Sequence, residues 1–136
     1  MPTRDLVYIS YRHVDAEWHA ELRRVLDSDS DLRSLIWDDT MISPAQEFAR
    51  EIDNHVARAR IMIMLTSEDY FGPDSGALEP EVRPALAAQA RGEVAILWIP
   101  IRPHDYTRTP VGHITAATEI GVMDPWGEVV REPGAA

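Results

Sequence analysis

The stretch SGALEPEVRPAL, residues 75–86, sets two glutamates, Glu79 and Glu81, among prolines at what reads as the start of a helix. Two carboxylates separated by one residue, after an apolar run and an irregular loop, fit two roles. They complement a helix N-terminus, where each negative charge contributes about 0.3–1 kcal/mol, or one of them works in an active site. Pro84 has no N–H and is least costly in a first helical turn, which predicts Glu81 at N-cap to N1. There the helix dipole and free amides would hold its carboxylate ionised. Asp38-Asp39 is a second acidic pair, able to meet a divalent cation but more often simply turn residues. The five histidines, at 13, 19, 55, 104 and 113, show no metal-ligand spacing and no HExxH pair, so no metal is expected. A GxSxG elbow and a GxGxxG turn after the first strand are both missing.

Composition narrows the chemistry further. A chain of 136 residues, 45% hydrophobic, can bury one core. The formal charge of −10 argues against nucleic-acid binding, where basic surface supplies much of the affinity. All 13 basic residues are arginine. Without lysine there is no Walker-type phosphate loop, no pyridoxal Schiff base and no protein-kinase site. Without cysteine there is no disulfide, thiol nucleophile or zinc–thiolate site. No apolar run approaches the roughly 18 residues of a membrane span. The N-terminus lacks the order of a signal peptide, so the expectation is a cytoplasmic protein with no membrane contact.

The elements that must position these residues follow from hydrophobic period. DLVYISY (5–11), LRSLIW (32–37), RIMIMLTS (60–67) and EVAILWIPI (93–101) read as strands, with TEIGVM (118–123) a short fifth. A helix from Asp15, capped by that residue, carries Trp18, Leu22, Val25 and Leu26 on one face. Ser43, Pro44 and Gln46 predict a capping-box start for a second helix, with Phe48, Ile52, Val56 and Ala59 on its apolar face. The helix holding Glu81 ends near Arg91-Gly92. Strands alternating with helices imply an α/β domain, a flavodoxin-like three-layer sandwich around a parallel sheet of about five strands. Residues 1–130 form the domain and 131–136 a tail. In such folds ligands gather at the carboxyl ends of the strands, here Ser10-Tyr11-Arg12, Trp37-Asp38-Asp39, Thr66-Ser67 and Arg102. A phosphoacceptor receiver domain shares the architecture. It needs an acidic pair after the first strand, an aspartate after the third and a lysine, and this chain has none of them.

Four segments, in order and correctly spaced, resemble the successive boxes of a bacterial TIR (Toll/interleukin-1 receptor) domain. LVYISYRHVDAEW resembles a FISYSHKD-like box, and IWDDTMISPAQEF the WDDxxIxPG-like BB loop. ARARIMIMLTSEDYF resembles the third-strand box, and PEVRPALAAQARGEVAILWIPIRP the segment that follows it. VMDPWGEVV is similar to the late strand and turn. Ala45 stands where the BB loop has glycine, which implies a stiffer loop. The family's closing amphipathic helix is not evident after Val130, so the chain is expected to be a domain cut from a longer protein or a short version.

The resemblance implies an NAD+ glycohydrolase, cleaving the nicotinamide–ribose bond and acting when clustered, as the effector of a bacterial anti-phage defence. A fused or associated sensor domain would drive assembly. NAD+ is then the substrate, and no cofactor is required. Counting back from the GEV that opens the fourth strand, Glu81 falls on the family's catalytic glutamate, with Glu79 the alternative. Ser10, Tyr11, Arg12, Trp37, Asp38 and Asp39 are the implied substrate contacts. Each has a structural competitor: Ser10 as a loop cap, Arg12 as a solvated side chain, Trp37 as core, and the aspartates as supports of the BB loop. Residues 39–45 are the implied contact with neighbouring TIR subunits. The alternative function is a TIR–TIR interaction module without catalysis.

Overall fold

The computed structural model describes residues 3–117 together with the strand pair 122–123 and 129–130. Four parallel strands form the central sheet: β1 (Leu6–Ser10), β2 (Ile36–Trp37), β3 (Ala59–Thr66) and β4 (Ala95–Pro100), in the order β2-β1-β3-β4. The period-2 alternation of the strands sorts their side chains onto two faces. Tyr8, Met62, Met64, Ile96 and Trp98 meet one buried cluster, which Ile52 and Val56 of α3 (Phe48–Ala57) and Ala85 and Ala88 of α4 (Arg83–Ala90) complete. Val7, Ile9, Ile63 and Leu65 meet the other, which takes in Trp18, Leu22 and Leu26 of α1 (Ala16–Leu26). Helices thus cover both sheet faces, the three-layer α/β arrangement that the alternating pattern implies.

Several local expectations need correction. The segment 32–37 is not one strand. The Asp29 side chain accepts from the amides of Asp31 and Leu32 and starts α2 (Ser30–Arg33), leaving only Ile36–Trp37 to pair with β1. The sheet has four strands rather than about five. Val122–Met123 instead pairs antiparallel with β6 (Val129–Val130) as β5 of a separate ribbon. The remainder of 118–123 and the tail 131–136 lie outside the described residues. Asp15 occupies the N-cap position of α1 without bonding its amides. Its buried carboxylate instead accepts from Arg102 Nη2 at 3.2 Å, tying the start of α1 to the end of β4. Val25 (57% exposed) and Phe48 (57% exposed) leave the apolar faces assigned to them.

The loop after β2 is the largest departure. The bond from the Ser43 amide to Gln46 Oε1, at 2.6 Å, is half of a capping box, but no helix follows it. Residues 43–46 form a tight turn closed by Gln46 N–H to Ser43 O at 3.2 Å, and α3 begins only at Phe48. Pro44 takes the second turn position and Ala45 the third, with Ala45 at φ +76°, the left-handed geometry that favours glycine. A non-glycine residue there costs about 1–2 kcal/mol, part of which glycine returns through its greater freedom in the unfolded chain. Ala45→Gly is therefore expected to stabilise the fold by about 0.5–1 kcal/mol, read as a rise of roughly 2–4 °C in Tm by thermal unfolding. By contrast, the stop of α4 follows the expected chemistry. Gly92, at φ +74°, donates to Gln89 O, and Glu93 N–H reaches Ala88 O, both at 2.9 Å.

Candidate active site

A cleft of about 470 Å³ opens at the carboxyl ends of the strands. One wall comes from Tyr11, Arg12 and His13 after β1, with Asp39 after β2 beside them. The opposite wall comes from the start of α3, the loop Asp74–Gly76 and the pair Pro80–Glu81. The order β2-β1-β3-β4 puts β1 inside the sheet with a partner on each side, so the residues that follow it emerge over the middle of the rim.

Local backbone decides between the two glutamates. Residues Leu78–Val82 form a π-turn, in which Glu81 N–H and Val82 N–H both donate to Ala77 O at 3.0 Å. This wider turn swings Glu81 inward. Glu79 points away from the cleft, its carboxylate mostly exposed and paired with Arg83 Nε at 2.7 Å. Glu81 lines the cleft, and Tyr8, on the central strand, donates its phenolic hydrogen to Glu81 Oε2.

The charge state of Glu81 differs from expectation. The amides that were to hold it ionised are engaged with Ala77 O, and α4 begins two residues later, at Arg83. Burial pushes its pKa up to about 7, and the neighbouring charge of Asp39 adds to the rise. The hydrogen bond from Tyr8, and the proximity of Ser10 and His13, act in the opposite sense. Glu81 is a carboxyl poised near neutrality. Burial and Glu81 together push the Tyr8 phenol far above its ordinary value, so it remains a donor.

The other residues implied as substrate contacts divide into two groups. Tyr11, Arg12 and Asp39 line the cleft. The Tyr11 ring stacks on His19 with centroids 4.0 Å apart, and burial beside Asp39 and Asp38 holds its phenol up at about 12. Arg12 pairs with Asp69 at 3.4 Å and also lines an adjoining hollow of about 300 Å³ with Ser67 and Arg102. Asp39 Oδ2 meets His13 Nε2 at 2.8 Å, whereas Oδ1 is buried with no hydrogen-bond partner among the described residues.

Ser10, Trp37 and Asp38 lie behind the cleft wall and do not line it. Ser10 is buried and shares a hydrogen bond of 2.5 Å with Tyr70 Oη. Trp37 belongs to the core, stacked on His55 at 4.0 Å and tilted against Tyr8 at 5.1 Å. Asp38 is fully buried. Its Oδ2 meets His19 Nε2 at 2.9 Å and Arg23 Nη1 at 2.8 Å, while Oδ1 accepts from the Thr40 amide and hydroxyl. Burial alone would raise the Asp38 pKa, but the bonds from His19, Thr40 and Arg23 outweigh it and hold the carboxyl well below its ordinary range. Asp38 anchors the loop and is not presented to a ligand. Adjacent in sequence, Asp38 and Asp39 turn to different partners, and among the described residues no group of three or more acidic or histidine side chains could hold a metal.

Sequence reasoning missed Tyr8, although a signal was there. In a strand Tyr8 and Ser10 share a face, and a tyrosine on the core face of a central strand needs a partner for its hydroxyl. His13, and the Asp74–Gly76 wall, carried no periodic signal.

Residues 7–124 match the family model described as TIR domain. Over 117 residues the chain is 27% identical to "Uncharacterized protein y4lF" of Sinorhizobium fredii (strain NBRC 101917 / NGR234). That alignment covers 85% of this chain and 36% of the relative, so the chain spans little more than a third of that protein's length.

Proposed function

Since this chain belongs to the TIR domain family, whose members mediate TIR–TIR interactions and include NAD+-cleaving enzymes, we propose that it is an NAD+ glycohydrolase switched on by self-association. The observation that carries this reading is Glu81, inside the cleft with its carboxyl poised near neutrality, while Glu79 is turned away to Arg83.

The chemistry asks for one carboxyl group. Most glycosidases need a second acid to protonate the departing oxygen. The nicotinamide of NAD+ is already cationic at its ring nitrogen. When the C1′–N bond breaks, the electron pair goes to that nitrogen and nicotinamide leaves neutral, with no proton required. The ribose carbon becomes oxocarbenium-like, and ionised Glu81 stabilises the positive charge in a poorly solvated cleft. Water then adds to C1′ and loses a proton, which a carboxylate with an affinity near neutrality is suited to accept. The unpartnered Asp39 oxygen supports a ligand here as well. A buried acceptor without a donor costs about 1–3 kcal/mol, and a ribose hydroxyl would satisfy it. Arg12, lining both hollows, is a cation within reach of the pyrophosphate, with Arg102 beside it in the second.

Self-association would run through residues 39–45, and the activating context is a bacterial anti-phage response with a sensor segment or partner driving assembly. No helix among the described residues is long and apolar enough to cross a membrane, so clustering on a scaffold is the direct test. Protein tethered at high density on beads or vesicles is expected to release nicotinamide from NAD+ at least tenfold faster per molecule than dilute protein, followed by chromatography. Absence of release at every density would overturn catalysis and leave the interaction module.

A further inference from the structure

We propose that Tyr8 is a positioning residue for Glu81, its hydroxyl tying the carboxylate to the central strand and fixing where it points in the cleft. The proposal deepens the reading of Glu81 as the catalytic carboxyl.

The two partners stand on unequal supports. Tyr8 is fully buried, on a strand hydrogen-bonded along both edges, with its ring against Trp37. Glu81 stands on a π-turn of five residues leading into a short helix, without the hydrogen bonding on both edges that fixes the strand. Their bond joins residues 73 apart in sequence and spans the gap between sheet and turn. It is the contact by which the rigid element holds the less rigid one.

The groups facing Glu81 are Tyr8 and Ser10 on β1, His13 in the turn after β1, Asp39 after β2 and Tyr70 after β3, with Asp53 of α3 and Asp74 lining the same cleft. Asp39 and burial favour the protonated carboxyl; Tyr8, Ser10 and His13 favour the ionised one. Deleting the Tyr8 hydroxyl removes a charge-assisted hydrogen bond from the ionised side of that balance and frees the carboxylate from the strand.

The test is Tyr8→Phe, read in two ways. Carbon-13 NMR of the Glu81 carboxyl group is expected to show its titration midpoint rising by about one pH unit. In clustered protein the acid limb of nicotinamide release should move by the same interval. The rate at pH 7 should then fall at least about fivefold; the share due to protonation should recover by pH 9, leaving the loss that comes from the side chain's freed direction. An unmoved midpoint overturns the proposal, because a hydroxyl bonded to the ionised carboxylate cannot be removed without raising its affinity for a proton; a loss of rate with the midpoint unmoved would mark a packing role alone. If wild type releases no nicotinamide, the enzymatic reading fails while the NMR arm still decides whether Tyr8 holds Glu81. Should Tyr8→Phe not fold, 3,5-difluorotyrosine at position 8, a stronger donor, is expected to lower the midpoint. An unchanged value there overturns the proposal equally.

Discussion

Glu81→Gln is expected to cut nicotinamide release by clustered protein about 10²–10³-fold, the usual cost of removing one preorganised electrostatic group from a transition state. Glutamine preserves the shape and still accepts from Tyr8, so the loss isolates the charge. Glu79→Gln, which breaks only an exposed pair with Arg83, should stay within about twofold. If the two variants behaved the other way round, the assignment of the cleft carboxyl would be wrong even though the activity stood.

The same substitution has an opposite effect on stability. The folded pKa of Glu81, about 7, lies above its ordinary value of 4.5, so the native state holds this proton more tightly than the unfolded chain does. Stability is therefore lost as pH rises from about 4.5 through 7, where the native protein must ionise a poorly solvated group. Glu81→Gln removes that cost. It should raise Tm at pH 8 and leave it nearly unchanged at pH 4. A variant that gains stability as it loses turnover would identify a group kept for function at the expense of folding.

The second large effect is expected at Asp38. Asp38→Ala deletes the acceptor for His19, Arg23 and both Thr40 donors at one stroke. Removing one partner of a buried charge network typically costs about 3–5 kcal/mol; here His19 and both Thr40 donors are left without their acceptor, while Arg23 keeps its pair with Asp27. In a domain of this size that amounts to a fall of roughly 10–20 °C in Tm. The pH dependence runs opposite to that of Glu81. Because the folded pKa of Asp38 lies below its ordinary value of 3.8, its contribution is present above that value and is lost as pH falls below it. Wild type should therefore lose stability on acidification through this range more steeply than Asp38→Ala, as followed by circular dichroism.

Strands buried on both sides were legible in the sequence because their signal is local: LVYI and the run over residues 61–65 are apolar at successive positions. The resemblance singled out position 81 by its register before the fourth strand, and the structure puts that side chain in the cleft. Its protonation was not legible, because burial raises its pKa against the bond from Tyr8, 73 residues away, and a π-turn consumes the amides a regular helix start would have left free. The short β2 and the late start of α3 were hidden by local side-chain chemistry. Asp29 caps a turn of helix inside an apolar run, and Ser43-Pro44 imitates a helix start that the left-handed Ala45 then cancels. Trp37 ends the strand that leads to the site and Asp38 follows it, so sequence position alone could not tell that they face inward.

The loop after β2 is hydrogen-bonded along its length: Thr40 to Asp38, Met41 N–H to Asp38 O, Ile42 N–H to Asp39 O, and the turn of residues 43–46. A segment already ordered in the isolated subunit surrenders little conformational entropy when a neighbour docks on it. If assembly proceeds through this segment, its onset should be governed by how many subunits are brought together, with little induction lag, so that the response behaves as a density threshold.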